Sequence, residues 1–268
     1  MLVLKIGGSI LKKGLHPTLT LDIKKTLETK GLIIVHGGGD EVTKIAKNLG
    51  KEQKFIFSPN GIRSRYTDKE TVKIYTMVMA GKINKEIVAL LLSRGIPAVG
   101  LSGIDATLLR AKRKKRLIIL DERGRRRIIE GGFTGKIDQV NVGVINLLIK
   151  NGYLPVVSSV AIGEEYEFLN IDSDRTAAQI SGALKAEKII FLTDVEGVFI
   201  DGKLVRRFST SDAKRLLPKM GPGMDKKVMA SIEAINLGVN EAIITLGSTE
   251  NPITKATSYQ ISTVISRE

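Results

Sequence analysis

The sequence predicts an α/β fold built on a mainly parallel sheet, and three observations predict it. Apolar strands alternate with helical patterns through residues 1–100, the order that builds parallel sheets. Two of those strands run straight into glycine turns, Leu2-Val3-Leu4-Lys5-Ile6-Gly7-Gly8-Ser9 and Leu32-Ile33-Ile34-Val35-His36-Gly37-Gly38-Gly39-Asp40. A length of 268 residues with 43% hydrophobic content supplies an ample core, for one large domain or two lobes.

The two opening turns organise the rest. Glycine lets backbone N–H groups approach an anion, and a following helix N-terminus adds partial positive charge. Lys5 sits beside the first glycine pair. A Gly-Gly after a strand is often only a tight turn; a pair of them with a lysine points to a phosphoryl group gripped at both ends. The patterning then predicts helices over 19–30 and 39–49. Asp68 is placed to cap a long helix carrying Val72, Tyr75, Met79, Ile83, Ile87 and Leu91 on one face, a stripe suited to the core or to a second subunit.

Between these helices Pro59-Asn60-Gly61 marks a turn. Arg63 and Arg65 follow it, either in a solvated loop or as a clamp for a carboxylate. Residues 117–120 and 128–129 read as a hairpin, and positions 110–127 hold ten basic residues against two acidic ones. A helix is predicted over 138–152 and a strand over 154–158. A helix containing Ala177, Ala178, Ser181 and Gly182 follows, with Asp174 at its start as a possible cap. Strands over 187–192 and 241–246, a small hairpin around Asp201-Gly202, and a helix from Gly223-Met224 to about Leu237 complete the pattern. The region near residue 160 is the candidate boundary between lobes, 1–160 and 161–268.

Composition excludes several classes. There is no cysteine, so disulfides and thiolate metal sites are absent. No apolar run is long enough to span a membrane, and the first residues form a strand instead of a signal peptide. The expectation is a cytoplasmic protein. With no tryptophan and 4% aromatic residues, base-stacking platforms are disfavoured. A net charge of +14 attracts anions, whether nucleotides, nucleic acid or an acidic protein. The abundance of Lys, Arg and Ile also resembles a thermophile's composition.

Six pieces in order resemble the amino acid kinase family, in its acetylglutamate kinase branch: Lys5-Ile6-Gly7-Gly8-Ser9, His36-Gly37-Gly38-Gly39, Arg65-Tyr66-Thr67-Asp68, Asn170-Ile171-Asp172-Ser173-Asp174, Leu192-Thr193-Asp194-Val195-Glu196-Gly197-Val198 and Gly223-Met224-Asp225-Lys226-Lys227. The resemblance covers essentially the whole chain. It implies an open αβα sandwich whose first lobe binds a phosphoryl acceptor and whose second binds ATP, with Mg2+ carried by the nucleotide and no metal held directly by the protein. It implies Lys5 and Lys227 as the lysines that neutralise phosphate charge, and Asp174 as the carboxylate that orients them. Gly7, Gly8 and Ser9, with Thr193 and Asp194, fall to the nucleotide and its phosphates. Gly37, Gly38, Arg63, Arg65 and Asn170 fall to the acceptor.

Two features depart from the ordinary acetylglutamate branch: the doubled arginine, and the basic run with Lys112, Arg113, Lys114, Lys115, Arg125 and Arg126. Both make the chain resemble the archaeal and Thermus-type branch. That branch phosphorylates 2-aminoadipate or glutamate carried on an acidic amino-group carrier protein, in lysine and arginine synthesis. The resemblance thus implies a basic docking surface for a carrier. A homodimer is expected, with neither nucleic acid nor membrane as partner. Two rivals stay open: an acetylglutamate kinase using the free acetylated amino acid, and a nucleic-acid binder on a kinase-like fold.

Overall fold

In the computed structural model, which describes residues 1–267, the chain runs β1 (Leu2–Ile6), α1 (Gly8–Lys13), α2 (Pro17–Thr29), β2 (Leu32–His36) and α3 (Gly39–Asn48), then a hairpin of β3 (Phe55–Phe57) and β4 (Arg63–Arg65). A long helix follows in three stretches: α4 (Lys69–Thr76), a π-helical stretch Met77–Ile83, and α5 (Asn84–Leu92). Next come β5 (Ala98–Ser102), β6 (Leu109–Arg113), β7 (Arg116–Leu120), β8 (Arg126–Glu130), β9 (Gly135–Val140), α6 (Gly143–Lys150) and β10 (Leu154–Ser158). The remainder is β11 (Val160–Ile162), β12 (Phe168–Asn170), α7 (Ser173–Ala183), β13 (Lys188–Thr193), the short pair β14 (Phe199–Ile200) and β15 (Lys203–Leu204), β16 (Arg207–Ser209), α8 (Thr210–Leu216), α9 (Met224–Asn236), β17 (Glu241–Leu246), α10 (Pro252–Thr257) and β18 (Ser262–Ser266).

One eight-stranded sheet, ordered β16-β18-β17-β13-β1-β2-β10-β5, crosses the molecule. Its pairings are parallel except β17 with β18. Side chains alternate along a strand, so each central strand feeds two cores. Leu2, Leu4 and Ile6 of β1 join Leu32 and Ile34 of β2 and the long helix on one face. Val3, Ile33 and Val35 join α7 and α9 residues such as Ala177, Ala178, Val228 and Ala234 on the other. The same parity sends Lys5 toward the α7–α9 layer and His36 toward the long helix. Both stand at the carboxyl ends of their strands, where ligands of open α/β sheets bind.

Several elements differ from the sequence reading. The basic run 110–127 is not one hairpin. Arg110, Lys112 and Arg113 lie on β6, which pairs with β9 in a sheet ordered β12-β11-β6-β9, whereas the hairpin β7–β8 belongs to another ordered β4-β3-β7-β8. Lys114 and Lys115 form the turn between them. Arg63 and Arg65 lie on an edge strand, not in a loop. The helix predicted from 138 begins only at Gly143, because Ile137 is buried and alternates with exposed Lys136 and Asp138 on β9. The acidic stretch 163–167 is the turn of the β11–β12 hairpin. β16, α8, α10 and β18 had no counterpart in the reading.

Asp68 caps α4 as predicted, its Oδ1 accepting from Thr71 N at 2.7 Å. The predicted stripe is buried, but the helix widens over Met77–Ile83. There Met79 and Ile83 press on the second glycine turn. A Cβ on Gly38 would lie 2.2 Å from Ile83 Cδ1 and 3.3 Å from Met79 Sδ, and the residue's φ of +149° is one that favours glycine.

Candidate active site

The two glycine turns meet. A Cβ on Gly8 would fall 3.3 Å from Gly38 N; one on Gly37 would fall 3.4 Å from Gly8 N, 3.7 Å from Lys5 Nζ and 3.1 Å from Ser173 Oγ. No side chain separates the turns; the N–H of Gly7 donates to Leu192 O at 3.2 Å and that of Gly37 to Ile6 O at 3.0 Å, so the donors left at the meeting point are those of Gly8 and Gly38. Lys5 reaches that point from β1, and Ser173 from the start of α7.

Lys5 Nζ lies 2.6 Å from Asp174 Oδ1, and Lys227 Nζ lies 3.6 Å from Asp174 Oδ2. The Lys5 contact is an ion pair, and among the described residues Asp174 Oδ1 accepts no further hydrogen bond. Asp174 is buried, which alone would raise its pKa. The charges of Lys5 and Lys227 outweigh that and hold the carboxyl below the usual carboxylate range. Burial lowers the Lys227 ammonium below the usual lysine range, against the charge of Asp174. Three charges thus sit in one dry place with two positive and one negative, a surplus of +1 beside the glycine turns. The set suits an anion: backbone donors, two ammonium groups, and no room for a side chain to intrude.

Asp174 is free for this because it does not cap α7. Asp172 does, its Oδ1 accepting from Asp174 N at 3.0 Å and Arg175 N at 3.1 Å. Nearby, His36 is buried and neutral. Burial brings its pKa down to about 4. Its Nδ1 pairs with Gly37 O at 3.0 Å and its Nε2 with Asn84 Nδ2 at 3.2 Å. In the neutral tautomer that satisfies both, Nδ1–H donates to Gly37 and Nε2 accepts from Asn84. The carbonyl side of the second turn is thereby held down on the long helix.

A cavity of about 650 Å³ opens from Gly37 and Gly38 outward between the sheet β4-β3-β7-β8 and the helices α7 and α9. Arg63, Arg65, Asn170, Lys114, Arg175 and Lys226 all line it. The two arginines differ. Arg65 Nη2 donates to Gly39 O at 2.7 Å and Thr43 Oγ1 at 2.9 Å, and Nη1 donates to Gln53 Oε1, so it ties the hairpin to α3. Arg63 is exposed and stacks on Phe55, its Cζ 3.6 Å from the ring centroid. Asn170 Nδ2 donates to Thr67 Oγ1 at 2.9 Å. At the end of β13, Thr193 is buried with its Oγ1 3.1 Å from Asp194 Oδ1, while Asp194 is exposed.

The basic residues of 110–127 scatter. Lys112 pairs with Asp138 at 2.9 Å. Arg113 stacks on Phe133 at 4.1 Å and donates to Gly132 O. Lys114 faces the cavity, and burial lowers its pKa. Arg125 and Arg127 share Asp121 at 3.2 and 2.9 Å. On the same hairpin Ile118 and Ile128 pair across the strands at 54% and 68% exposure.

Sequence reasoning passed over Lys226, Arg175, Glu233 and Tyr75. Arg175 and Glu233 form a two-bond pair, Nε to Oε2 at 2.7 Å and Nη2 to Oε1 at 3.0 Å, which joins α7 to α9 and so the helix of Asp174 to that of Lys227. Tyr75 OH reaches Ser159 O and Ile171 O at 3.2 and 3.3 Å, and burial raises its pKa to about 12. Its place on the helix stripe read as core or subunit contact, with no part in the site.

Residues 1–245 match the amino acid kinase family. A protein of Cenarchaeum symbiosum (strain A) is 55% identical over 265 residues, 99% of each chain, and is provisionally named as a kinase of LysW-aminoadipate and LysW-glutamate. The LysW-aminoadipate/LysW-glutamate kinase of Saccharolobus solfataricus is 48% identical over 257 residues, 96% of each chain. The solved structure of smu.665 from Streptococcus mutans UA159 superposes with a TM-score of 0.82 at 22% identity, over 100% of this chain and 98% of that one, a likeness of fold.

Proposed function

The chain belongs to the amino acid kinase family, and from that premise we propose that it transfers the γ-phosphoryl group of ATP to the side-chain carboxylate of 2-aminoadipate or glutamate borne on the acidic carrier protein LysW. Its relatives at 47% identity and above carry the names of kinases for those two acceptors. One observation within the chain carries the chemistry: the Lys5–Asp174–Lys227 set where two side-chain-free turns meet.

A carboxylate oxygen attacks the γ-phosphorus, the bond to the ADP oxygen breaks, and an acyl phosphate leaves with ADP. The attacking carboxylate is already ionised, so no general base is required. Catalysis is then positioning and neutralisation of charge. Lys5 and Lys227 face the developing charge, and Asp174 keeps both ammonium groups aimed. Gly7, Gly8 and Ser9 cradle the phosphates, and Thr193 and Asp194 hold the nucleotide. The side-chain-free turns and paired lysines fit a triphosphate. Mg2+, when bound with ATP, offsets phosphate charge, and the protein's part is to hold the phosphates around it. Gly37, Gly38, Arg63, Arg65 and Asn170 hold the acceptor.

In this reading residues 1–160 form the acceptor lobe and 161–268 the ATP lobe, in a cytoplasmic homodimer; the apolar stripe of the long helix is buried within the single chain and is not the dimer contact. The arginines of β7–β8 and the exposed Ile118–Ile128 pair receive the carrier. Turnover of MgATP with carrier-linked aminoadipate, carrier-linked glutamate and free N-acetylglutamate tests the proposal. Activity on the carrier-linked acids supports it; activity confined to the free acetylated acid replaces it with the simpler kinase.

A further inference from the structure

Lys226 and Lys227 are neighbours on the first turn of α9, and they reach opposite ways. Consecutive helix residues point about 100° apart. Lys227 turns inward to Asp174 and Gly223 O, at 3.6 and 3.4 Å. Lys226 turns outward across the cavity and donates to Arg63 O at 2.7 Å. That carbonyl belongs to β4, which pairs only with β3 and is the edge of its sheet. Ile62 O accepts from Ser58 N, and Tyr66 N donates to Lys54 O, so those two residues aim their main-chain groups at the hairpin partner. By alternation Arg63 aims its carbonyl away, toward α9. Lys226 meets an edge acceptor that the sheet leaves open.

We infer that Lys226 is a positioning residue that couples the acceptor hairpin β3–β4 to the lysine of the phosphate site. The inference rests on the proposed reading, in which Arg63 and Arg65 hold the acceptor and Lys227 the phosphates. The hairpin is anchored at its other strand end by Arg65 to Gly39 O and Thr43, beside the second glycine turn. It is therefore tied at Arg65 to the turn that holds the acceptor and at Arg63 to the helix that carries Lys227. An acceptor that orders Arg63 also fixes Arg63 O, and through Lys226 the first turn of α9. Lys227, one residue on, is then set before the nucleotide's phosphates are gripped. Acceptor and nucleotide binding become mutually favourable, and by linkage each strengthens the other equally.

The test uses the full chain. Lys226→Met keeps the length of the stem and removes the donor; Lys226→Arg keeps a donor and serves as rescue. Hydrogen exchange at residues 55–66, measured without ligands, should lose protection in Lys226→Met and regain it in Lys226→Arg. Binding of a non-hydrolysable ATP analogue is then titrated with and without carrier-linked aminoadipate. The acceptor should tighten the analogue about fivefold or more in the unaltered chain and in Lys226→Arg, and leave it unchanged in Lys226→Met. Equal coupling in all three proteins overturns the inference, as does hairpin protection indifferent to Lys226→Met. An unaltered chain with no turnover of any acceptor overturns the functional reading instead, and the ligand-free exchange result then decides alone whether Lys226 holds the hairpin.

Discussion

Asp172 and Asp174 stand two residues apart at the start of α7 and face different partners: Asp172 Oδ1 accepts from two main-chain N–H groups of the helix, and Asp174 offers its oxygens to Lys5 and Lys227. Substitution should separate the two. Asp172→Asn keeps the cap, since Asn and Asp cap about equally well, and should alter stability little; Asp172→Ala should cost about 1 kcal/mol. Asp174→Asn removes the one negative charge between two buried ammonium groups and should lower kcat at least ~100-fold, with a melting temperature below that of the unaltered chain. Normal turnover in Asp174→Asn would take the carboxylate out of the mechanism.

Lys227 sets the alkaline limit. Its depressed pKa means that it loses its proton at lower pH than an ordinary lysine, whose reference value is 10.5. As catalysis requires the charged form, kcat/KM, which reports the free enzyme, should decline on the alkaline side before that value is reached. Lys227→Arg stays charged throughout, so whatever activity it keeps should show no such decline. A pH profile of kcat/KM for both proteins, at subsaturating ATP, decides the matter; a shared alkaline limb would assign it elsewhere.

His36 governs acid sensitivity. The unfolded imidazole titrates near 6.5 and the folded one at about 4. Between those values the unfolded chain binds the extra proton, so stability is full above pH 6.5 and falls as the pH drops toward 4. The loss from this residue is about 3 kcal/mol, from 1.36 kcal/mol per unit. Denaturant unfolding from pH 7 to pH 4 should show that slope, reduced in His36→Gln. The variant should also disturb the Gly37 turn, because it replaces the donor to Gly37 O.

The basic surface gives a prediction that the fold has redrawn. Arg123 and Arg126 stand on the β7–β8 hairpin with no ion pair among the described residues, and Arg126 shares a strand face with exposed Ile128. Arg123→Ser with Arg126→Ser should raise KM for the carrier-linked acceptor, less so as salt increases, and leave KM for ATP unchanged. Ile128→Ser should raise the same KM without the salt dependence. Lys112→Ser should do little, since Asp138 already answers that charge on another sheet. Salt-sensitive loss of RNA or DNA binding with the acceptor KM unmoved would favour a nucleic-acid surface.

Much of this was legible in the sequence, and the rest was hidden for physical reasons. Alternation along β1 places Lys5 opposite to Leu4 and Ile6, so its direction follows from the strand alone. The choice between Asp172 and Asp174 does not: both fit a cap, and the decision comes from Lys5, which a distant strand delivers. The basic run looked continuous because charge counts ignore partners; Ile137 on β9 draws Arg110 to Arg113 into another sheet. The motif assigns a role to Lys227 alone, yet Lys226 has its own partner across the cavity while Lys227 turns inward to Asp174. The π-helical stretch left no mark, since Val78, Met79 and Ile83 keep an ordinary apolar stripe, and the widening answers to the turn packed beneath it.

That packing makes Gly38 a genetic dead end. Any side chain there meets Ile83 Cδ1 at 2.2 Å, and the backbone stands at φ +149°. A second mutation that trims Ile83 restores space and leaves the backbone unrelieved, and no change in the helix can relieve it. A selection for revertants of Gly38→Ala should therefore return glycine itself, and no suppressor at Ile83 or Met79.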